Sequence, residues 1–197
     1  MRNKNNKQSG YTIIETMIAI SIFLVVVTVG MGALLNANSL HKKSQDMRSI
    51  IDNLSFIMED MSRSLRMGAY YYCIINESIP VQGNVGVGYT QDCTNRGGIS
   101  FQASGQTQWV YYLGANPNVP DYNSIFRRIG NTLPVQMTPD EVNITSSSIF
   151  SVSGANPPLG DFSQPFVTIK LVGSITSKGI TSPFSLQTSV SQRALDI

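Results

Sequence analysis

Residues 10–35 read GYTIIETMIAISIFLVVVTVGMGALL, an apolar run in which Glu15 is the sole charged residue. The twenty residues from Thr16 to Leu35 carry no charge, and at 1.5 Å per residue they form a helix of about 30 Å, the thickness of bilayer hydrocarbon. A helix is required because backbone polar groups find no water partners in lipid. An acid just inside a membrane-length helix is costly to bury, so Glu15 is a functional candidate.

A short basic leader precedes this run. Residues 1–10 contain Arg2, Lys4 and Lys7 and no acid, so their removal from the 197-residue chain would leave 187 residues and change the formal net charge from +2 to −1. The slightly basic balance therefore belongs to the leader and does not indicate nucleic-acid binding. Only 13% of the residues are charged, about half the usual share, and an uncharged polar surface suits a domain outside the cytoplasm.

The order of basic leader, Gly10, Tyr11, Glu15 and apolar run resembles the class III signal of type IV pilins and type II secretion pseudopilins. The resemblance implies cleavage after Gly10 by a prepilin peptidase, on the cytoplasmic side, and N-methylation of the new terminus at Tyr11, where the family more often has Phe. It also implies that Glu15, one helical turn from Tyr11, pairs with the terminal amine of an adjacent subunit in a filament. The alternative is a carboxylate that reaches the lipid headgroups.

Two other interpretations of the apolar run compete with the pilin-like signal. A conventional signal peptide, with a possible cleavage site at Ala37-Asn38-Ser39, normally has a shorter apolar region of about 7–15 residues. A plain permanent anchor explains the run but gives no role to Gly10 or Glu15.

The pattern becomes amphipathic after the apolar run. Apolar residues recur at spacings of three and four, which predicts a helix with one face to bury: Met47, Ile50, Leu54, Ile57, Met61 and Leu65, with Ile51 and Met58 beside them. The opposite face carries Lys43, Asp46, Asp52, Asp60 and Arg63. No proline interrupts residues 11–66, and Gly68 is a plausible stop signal. We expect the apolar face to pack on a sheet; a lone coiled coil is the alternative.

Beyond Tyr70 the helical periodicity ends, and short β-rich runs alternate with turn residues. The candidate strands are residues 99–103, 108–113, 124–129, 142–145, 149–152, 166–172 and 184–190. In the last of these, Phe184, Leu186, Thr188 and Val190 alternate with polar residues, which suits an antiparallel sheet with one wet face. The predicted fold class is α+β: a long N-terminal helix, half transmembrane and half amphipathic, packed on an antiparallel β-sheet head.

The pilin-like signal and the patterns that follow it predict four segments: a cleaved leader (1–10), a transmembrane or filament-core helix (11–39), an amphipathic helix continuing into the head (40–67) and an extracytoplasmic β-rich head (68–197). Strand-turn-strand segments of the head, at 109–113, 125–128, 164–169 and 186–193, resemble the larger minor pseudopilins of the J type and related minor pilins.

The chain has two cysteines, Cys73 and Cys93, both beyond the apolar run. An even count in a translocated domain predicts one disulfide. Two buried free thiols are the alternative, and no C-x-x-C motif indicates a redox function.

Residues that could support catalysis are few. His41 is the only histidine and lies beside the membrane segment, so the head lacks a histidine for Ser-His-Asp or Cys-His catalysis and for His-based zinc sites. Asp140 and Glu141 would point to opposite faces of a strand. The other head acids that could serve a calcium site, Asp92, Asp121 and Asp161, are scattered, so calcium binding is only weakly indicated. We therefore expect no enzyme, no cofactor and no metal.

Three further features have structural and functional interpretations. Arg127 and Arg128 beside Phe126 favour a sheet-edge role over DNA contact, because no wider basic patch surrounds them. The glycines of the 83–88 segment lack the strand and helix that flank a phosphate-binding loop and suggest a surface loop. The tyrosines at 70–72 are expected as core and rim aromatics where helix meets sheet.

The resemblance leads to one function: a minor pilin or pseudopilin of a type IV pilus-like or type II secretion filament. Its partners would be other pilins, the prepilin peptidase, an inner-membrane assembly platform and membrane lipid. Its location would be the bacterial inner membrane, with the head outside the cytoplasm, and then a filament. The alternative is a membrane-anchored adhesin or binding domain that never polymerises.

Overall fold

The computed structural model describes residues 10–74, 90–103, 107–145, 149–156, 163–177 and 179–193. In these residues the chain forms one helix, α1 (Ile13–Arg66), followed by ten strands: β1 (Ala69–Ile74), β2 (Cys93–Arg96), β3 (Gly98–Gln102), β4 (Gln108–Ala115), β5 (Asn123–Ile129), β6 (Val135–Gln136), β7 (Val142–Ile144), β8 (Phe150–Ser153), β9 (Phe166–Ser177) and β10 (Ile180–Ser191). The predicted α+β class is confirmed.

The chain divides into two compact units, Met1–Gln45 and Asp46–Ile197, and the boundary falls within α1. In the first unit the helical residues are almost all exposed, including the apolar side chains of the predicted membrane segment. Among the described residues, α1 is the one helix long and apolar enough to cross a membrane. Exposed hydrocarbon on this scale is stable only against lipid or other protein chains.

In the second unit the amphipathic half of α1 buries the predicted face. Leu54, Ile57, Met58, Met61 and Leu65 are buried, and Met47 and Ile50 are partly buried against the same core. A pattern of three- and four-residue spacings places such side chains on one side of a helix, so this prediction is confirmed.

Asp60, which the sequence pattern placed on the solvent face, is half-buried in the structure. Asp60 lies at the margin of the buried face and pairs with Arg127 of β5. The helical spacing gave Asp60 an outward position but did not reveal that a cation from the sheet would reach it.

The strands form two antiparallel sheets within the described residues. Sheet A has the order β1-β3-β4-β5-β6, and sheet B has the order β10-β9-β8-β2, with β7 also paired to β9. All seven strands expected from the sequence are present, and β1, β2 and β6 are additional. The sequence had indicated antiparallel strands without showing that they divide between two sheets.

A single apolar core joins the buried face of α1 to both sheets. Sheet A contributes an aromatic group in which the ring of Phe101 lies 6.3 Å from that of Tyr71 and 5.7 Å from that of Tyr111. Sheet B contributes β-branched and aliphatic residues such as Val167, Ile169 and Leu171 of its central strand β9. Burial of apolar area therefore holds the helix to the head, and polar contacts such as the Asp60–Arg127 ion pair add to it.

The helix ends where the sequence indicated. The N–H of Gly68 donates to the carbonyl of Leu65 (3.0 Å), and a Cβ at Gly68 would overlap the ring of Phe101. The hydroxyl of buried Tyr71 donates to the carbonyl of Leu65 (2.6 Å), with that of Gly68 at 3.0 Å. Tyr70 is exposed, so this junction has the expected core and rim aromatics.

Candidate functional site

The N-terminal signal residues lie at and just before the start of α1. Gly10, Tyr11 and Thr12 precede the helix, and Glu15 lies in its first turn. The N–H of Glu15 donates to the Thr12 hydroxyl (3.4 Å), so Thr12 acts as the helix N-cap. A carboxylate in the first turn also interacts favourably with the positive end of the helix dipole. Local sequence therefore explains both why the helix begins at Ile13 and why an acid is tolerated there.

The Gly10–Tyr11 peptide bond is accessible. The bond lies in non-helical backbone, and Tyr11 is 83% exposed. A Cβ at Gly10 would meet no described atom within 4 Å, and Gly10 is not in the left-handed backbone region. The fold itself places no demand for glycine at this position. A requirement for Gly10 would thus come from recognition by another protein.

The two cysteines connect the two sheets. Cys73 of β1 and Cys93 of β2 are joined in a disulfide, with Cα atoms 6.2 Å apart. Strand β1 belongs to sheet A and β2 to sheet B, and Cys73 is only 1% exposed. The disulfide is thus a covalent link between two sheets that share no strand.

The paired arginines are engaged in the fold. The Arg127 guanidinium lies 3.1 Å from the Asp60 carboxylate and 5.6 Å from the centre of the Trp109 ring. Its neighbour Arg128 is fully buried. Strand β5, which carries both, lies next to the two-residue edge strand β6. The expected sheet-edge role is wrong, because β5 pairs with both β4 and β6 and is therefore second from the edge. The two arginines are nonetheless engaged within the fold, and the burial of Arg128 leaves it inaccessible to DNA.

Sequence reasoning missed a polar network around Asp140. The carboxylate accepts hydrogen bonds from the side-chain amides of Asn116 (3.1 Å), Asn118 (2.9 Å) and Gln136 (2.8 Å). Hydrogen bonds to the charged form favour it; those from Gln136, Asn116 and Asn118 hold the pKa of Asp140 below its usual value. The four residues come from separate turns and a short strand, so no local spacing in the sequence signals them.

The Asp140 network predicts an acid-dependent loss of stability. A depressed folded-state pKa contributes stability that is present above the ordinary carboxyl pKa of about 4 and is lost as the pH falls through the folded-state value. We expect the urea concentration at the unfolding midpoint of the detergent-solubilised chain to decrease when the pH is lowered below about 4. Unfolding is followed by the fluorescence of the one tryptophan in the chain. Asp140→Asn should reduce that fall, whereas Glu141→Gln, which alters the adjacent acid, should retain it. An unchanged acid response in Asp140→Asn would contradict the assignment.

The described residues offer little for catalysis or metal binding. They contain no group of three or more His, Cys, Asp or Glu side chains that could hold a metal ion. His41 hydrogen-bonds to Gln45 (3.2 Å) along the helix. Asp161 and the glycines of the 83–88 segment lie outside the described residues. A groove of about 800 Å³ beside β6 is open and contains Asp60 and Arg127, already paired with each other.

Comparison with known proteins agrees with the N-terminal geometry. The family model of the prokaryotic N-terminal methylation motif matches residues 5–31, which include Gly10, Tyr11 and Glu15. Neither curated proteins nor solved structures gave a match. The motif and the exposed apolar helix fit a single-pass, membrane-anchored protein and point to a structural role. The chain is thus similar, in its N-terminal part, to processed subunits of the type IV pilin-like family.

Proposed function

We propose that the chain is a minor pilin or pseudopilin, a subunit of a type IV pilus-like or type II secretion filament. A prepilin peptidase cleaves it after Gly10 and methylates Tyr11, and the mature chain then assembles through its N-terminal helix. The observation that carries the proposal is the methylation motif over residues 5–31. Within that motif the scissile bond is exposed and Glu15 occupies the first helical turn.

The two structural units support separate roles for the N-terminal helix and the head. The first unit presents an apolar helix surface with no buried residue among those described, and helices of this kind can pack together in a membrane and then in a filament core. The second unit buries its own core with residues of α1 and both sheets. We assign residues 1–10 to the leader, 11–39 to the membrane and filament core, 40–67 to the connecting helix and 68–197 to the head.

Glu15 is the proposed assembly residue. Cleavage exposes a cationic amine at Tyr11, and a carboxylate of a neighbouring subunit can neutralise it in the low-dielectric core. An unpaired charge there is expensive, so the pair would set the axial register of subunits. Partners under this proposal are sibling pilins, the peptidase and the inner-membrane assembly platform, and the head lies outside the cytoplasm.

The test of processing is a substitution at Gly10. Gly10→Val should leave the leader attached and abolish incorporation into filaments, because the peptidase must accommodate the residue beside the scissile bond. The measurement is the intact mass of the chain isolated from membranes, with the amount of chain in sheared filaments as a second readout. Gly30→Val, at a glycine also free of described neighbours, should be processed normally.

Two outcomes would contradict the proposed processing. A mature chain beginning at Tyr11 in cells that lack the prepilin peptidase would remove the peptidase from the account. A native chain that retains residues 1–10, or that begins after Ser39, would instead favour a tethered or secreted binding domain.

A further inference from the structure

We propose that the groove between α1 and β6 binds the α1 helix of a second copy of this chain, which lies parallel to the first and inserts Arg48 and Ile51. The inference rests on the proposed function, because it describes how two adjacent subunits meet. The groove has a volume of about 800 Å³ and lies wholly within the second unit.

The groove runs along α1. One wall is formed by Asn53, Phe56, Ile57 and Asp60, whose spacings place them on one side of the helix. These residues span about two turns, or about 10 Å. The facing wall consists of β6 and the residues 137–140 that follow it. An open groove parallel to a helix has the shape that accepts a second helix laid alongside.

The rim of the groove is apolar and exposed. Phe56 is 74% exposed, and Val135, on the facing wall, is 58% exposed. Asp52 and Glu59, the next residues along the outer side of α1, are exposed too, so Phe56 is an aromatic side chain on an otherwise polar helix face. Exposed aromatic groups beside a groove are typical of a contact surface.

The groove also carries a negative charge. Asp60 and Arg127 neutralise each other, and the remaining charged group in the lining is Asp140. In the described part of the chain Asp140 accepts hydrogen bonds from three side-chain amides and forms no ion pair. The complementary occupant therefore brings a cation next to an apolar side chain.

The opposite side of α1 carries such a pair. Ser55 and Ser62 line a cleft with Leu186 of β10, so this side of the helix faces away from β6. The same side carries Ile51, which is 37% exposed, and Arg48, which is exposed. Within the described residues Arg48 forms no ion pair. A cation and an apolar side chain thus lie one turn apart where a neighbour can reach them.

The membrane selects how two copies can meet. Helix α1 is continuous from Ile13 to Arg66, and its N-terminal part is apolar enough to cross a membrane, so two copies in one membrane have helices that point the same way. Two grooves facing each other would oppose two Asp140 carboxylates and leave both grooves unfilled. The remaining arrangement places the groove of one copy against the opposite side of the next α1. Such a heterologous contact repeats into a ring or an open filament.

The charges also give the axial register. Asp140 lies near the level of Asn53, because Asn53 and the adjacent Pro139 both line this groove and the next cleft along the helix. Arg48 of the second copy reaches that level when the second copy is displaced by about one helical turn, or about 5 Å, away from the membrane. Ile51 of the second copy then lies beside the apolar rim of the groove.

The experiment uses two full-length chains of different mass, expressed together and treated in cells with a short bis-maleimide. One chain carries Val135→Cys on the groove rim, and the other carries Ser55→Cys on the opposite side of α1. The native cysteines are joined to each other and do not react. The mixed dimer should exceed either homodimer at least about tenfold. The matched control replaces Ser55→Cys by Ser185→Cys, on the outer face of β10, and should give at least about tenfold less mixed dimer.

Second-site variants separate the two roles of the chain. Arg48→Glu in the Ser55→Cys chain places an acid against Asp140 and should lower the mixed dimer at least about tenfold, whereas Arg48→Lys should preserve it. The same Arg48→Glu in the Val135→Cys chain should have no effect, because that Arg48 faces the other way. Phe56→Ser should give the reverse pattern, with loss only in the Val135→Cys chain.

Three results would overturn the inference: no mixed dimer, an equal effect of Arg48→Glu in either chain, or a cross-link from Val135→Cys to a chain of another mass. Native chain recovered in sheared filaments without the mixed dimer would refute the contact and leave the proposed function standing. A mixed dimer between chains that retain residues 1–10 in wild-type cells would support the contact and refute the proposed processing.

Discussion

Glu15→Gln should be cleaved and methylated normally, yet its amount in sheared filaments should fall by at least about tenfold. Glutamine keeps the shape of the side chain and removes its charge, so the amine of a neighbouring Tyr11 would be left without a counter-ion. Removing one partner of a buried ion pair costs about 3–5 kcal/mol, and about 1.4 kcal/mol corresponds to tenfold in an equilibrium constant. Glu15→Ala should give the same result, measured as the ratio of filament-associated to membrane-associated chain.

The control for Glu15 is another polar residue of the same apolar run. The Ser21 hydroxyl donates to the carbonyl of Met17 within the helix (2.7 Å), so Ser21→Ala leaves no unpaired group and should assemble like the native chain. Equal incorporation of Glu15→Gln and native chain would remove the pairing role. A loss of cleavage in Glu15→Gln would instead move the role of Glu15 to peptidase recognition.

Removal of the disulfide should lower the free energy of unfolding by about 3 kcal/mol, the value expected for closing a loop of this length in the unfolded chain. The sequence separation of Cys73 and Cys93 is 20 residues. The disulfide also joins end strands of different sheets. Because β2 has only four residues, the pairing of β2 with β8 depends more on the disulfide than the pairing of a long strand would. The measurement is urea unfolding of detergent-solubilised chain, followed by Trp109 fluorescence.

The matched comparison is the Cys73→Ser and Cys93→Ser double variant with and without reductant. The native chain should lose stability when reductant is added, whereas the double variant should not respond. If reduction of the native chain left its urea midpoint unchanged, the disulfide would have no part in holding the two sheets together.

The elements that sequence patterns predicted are those with a repeated local signal. The buried face from Leu54 to Leu65 follows from three- and four-residue spacings, and the alternation from Phe184 to Val190 matches the half-buried and exposed residues of β10. Gly68 marked the helix end for a reason visible only in the structure, which is the close approach of Phe101. Local periodicity, in short, reports which side of an element is buried.

The parts that escaped prediction depend on contacts between distant segments. Strand β2 contains Cys93 and Arg96 and no apolar alternation, so its pairing with β8 leaves no local trace. The same holds for the ion pair of Asp60 with Arg127 and for the amides around Asp140. The N-terminal signal was readable because its elements are contiguous in sequence.

The connection of β2 to sheet B has a consequence for biogenesis. Strand β8 lies between β2 and the central strand β9, and β9 and β10 are the last two strands in the described part of the chain. If the head crosses the membrane in the order of its synthesis, as the proposed function requires, both thiols emerge well before the strands that position β2. Since the chain contains two cysteines, early oxidation can form only one intramolecular bond and cannot trap a wrong isomer. A disulfide formed during export would speed the later pairing of β2 with β8, because the loop between the two cysteines is already closed.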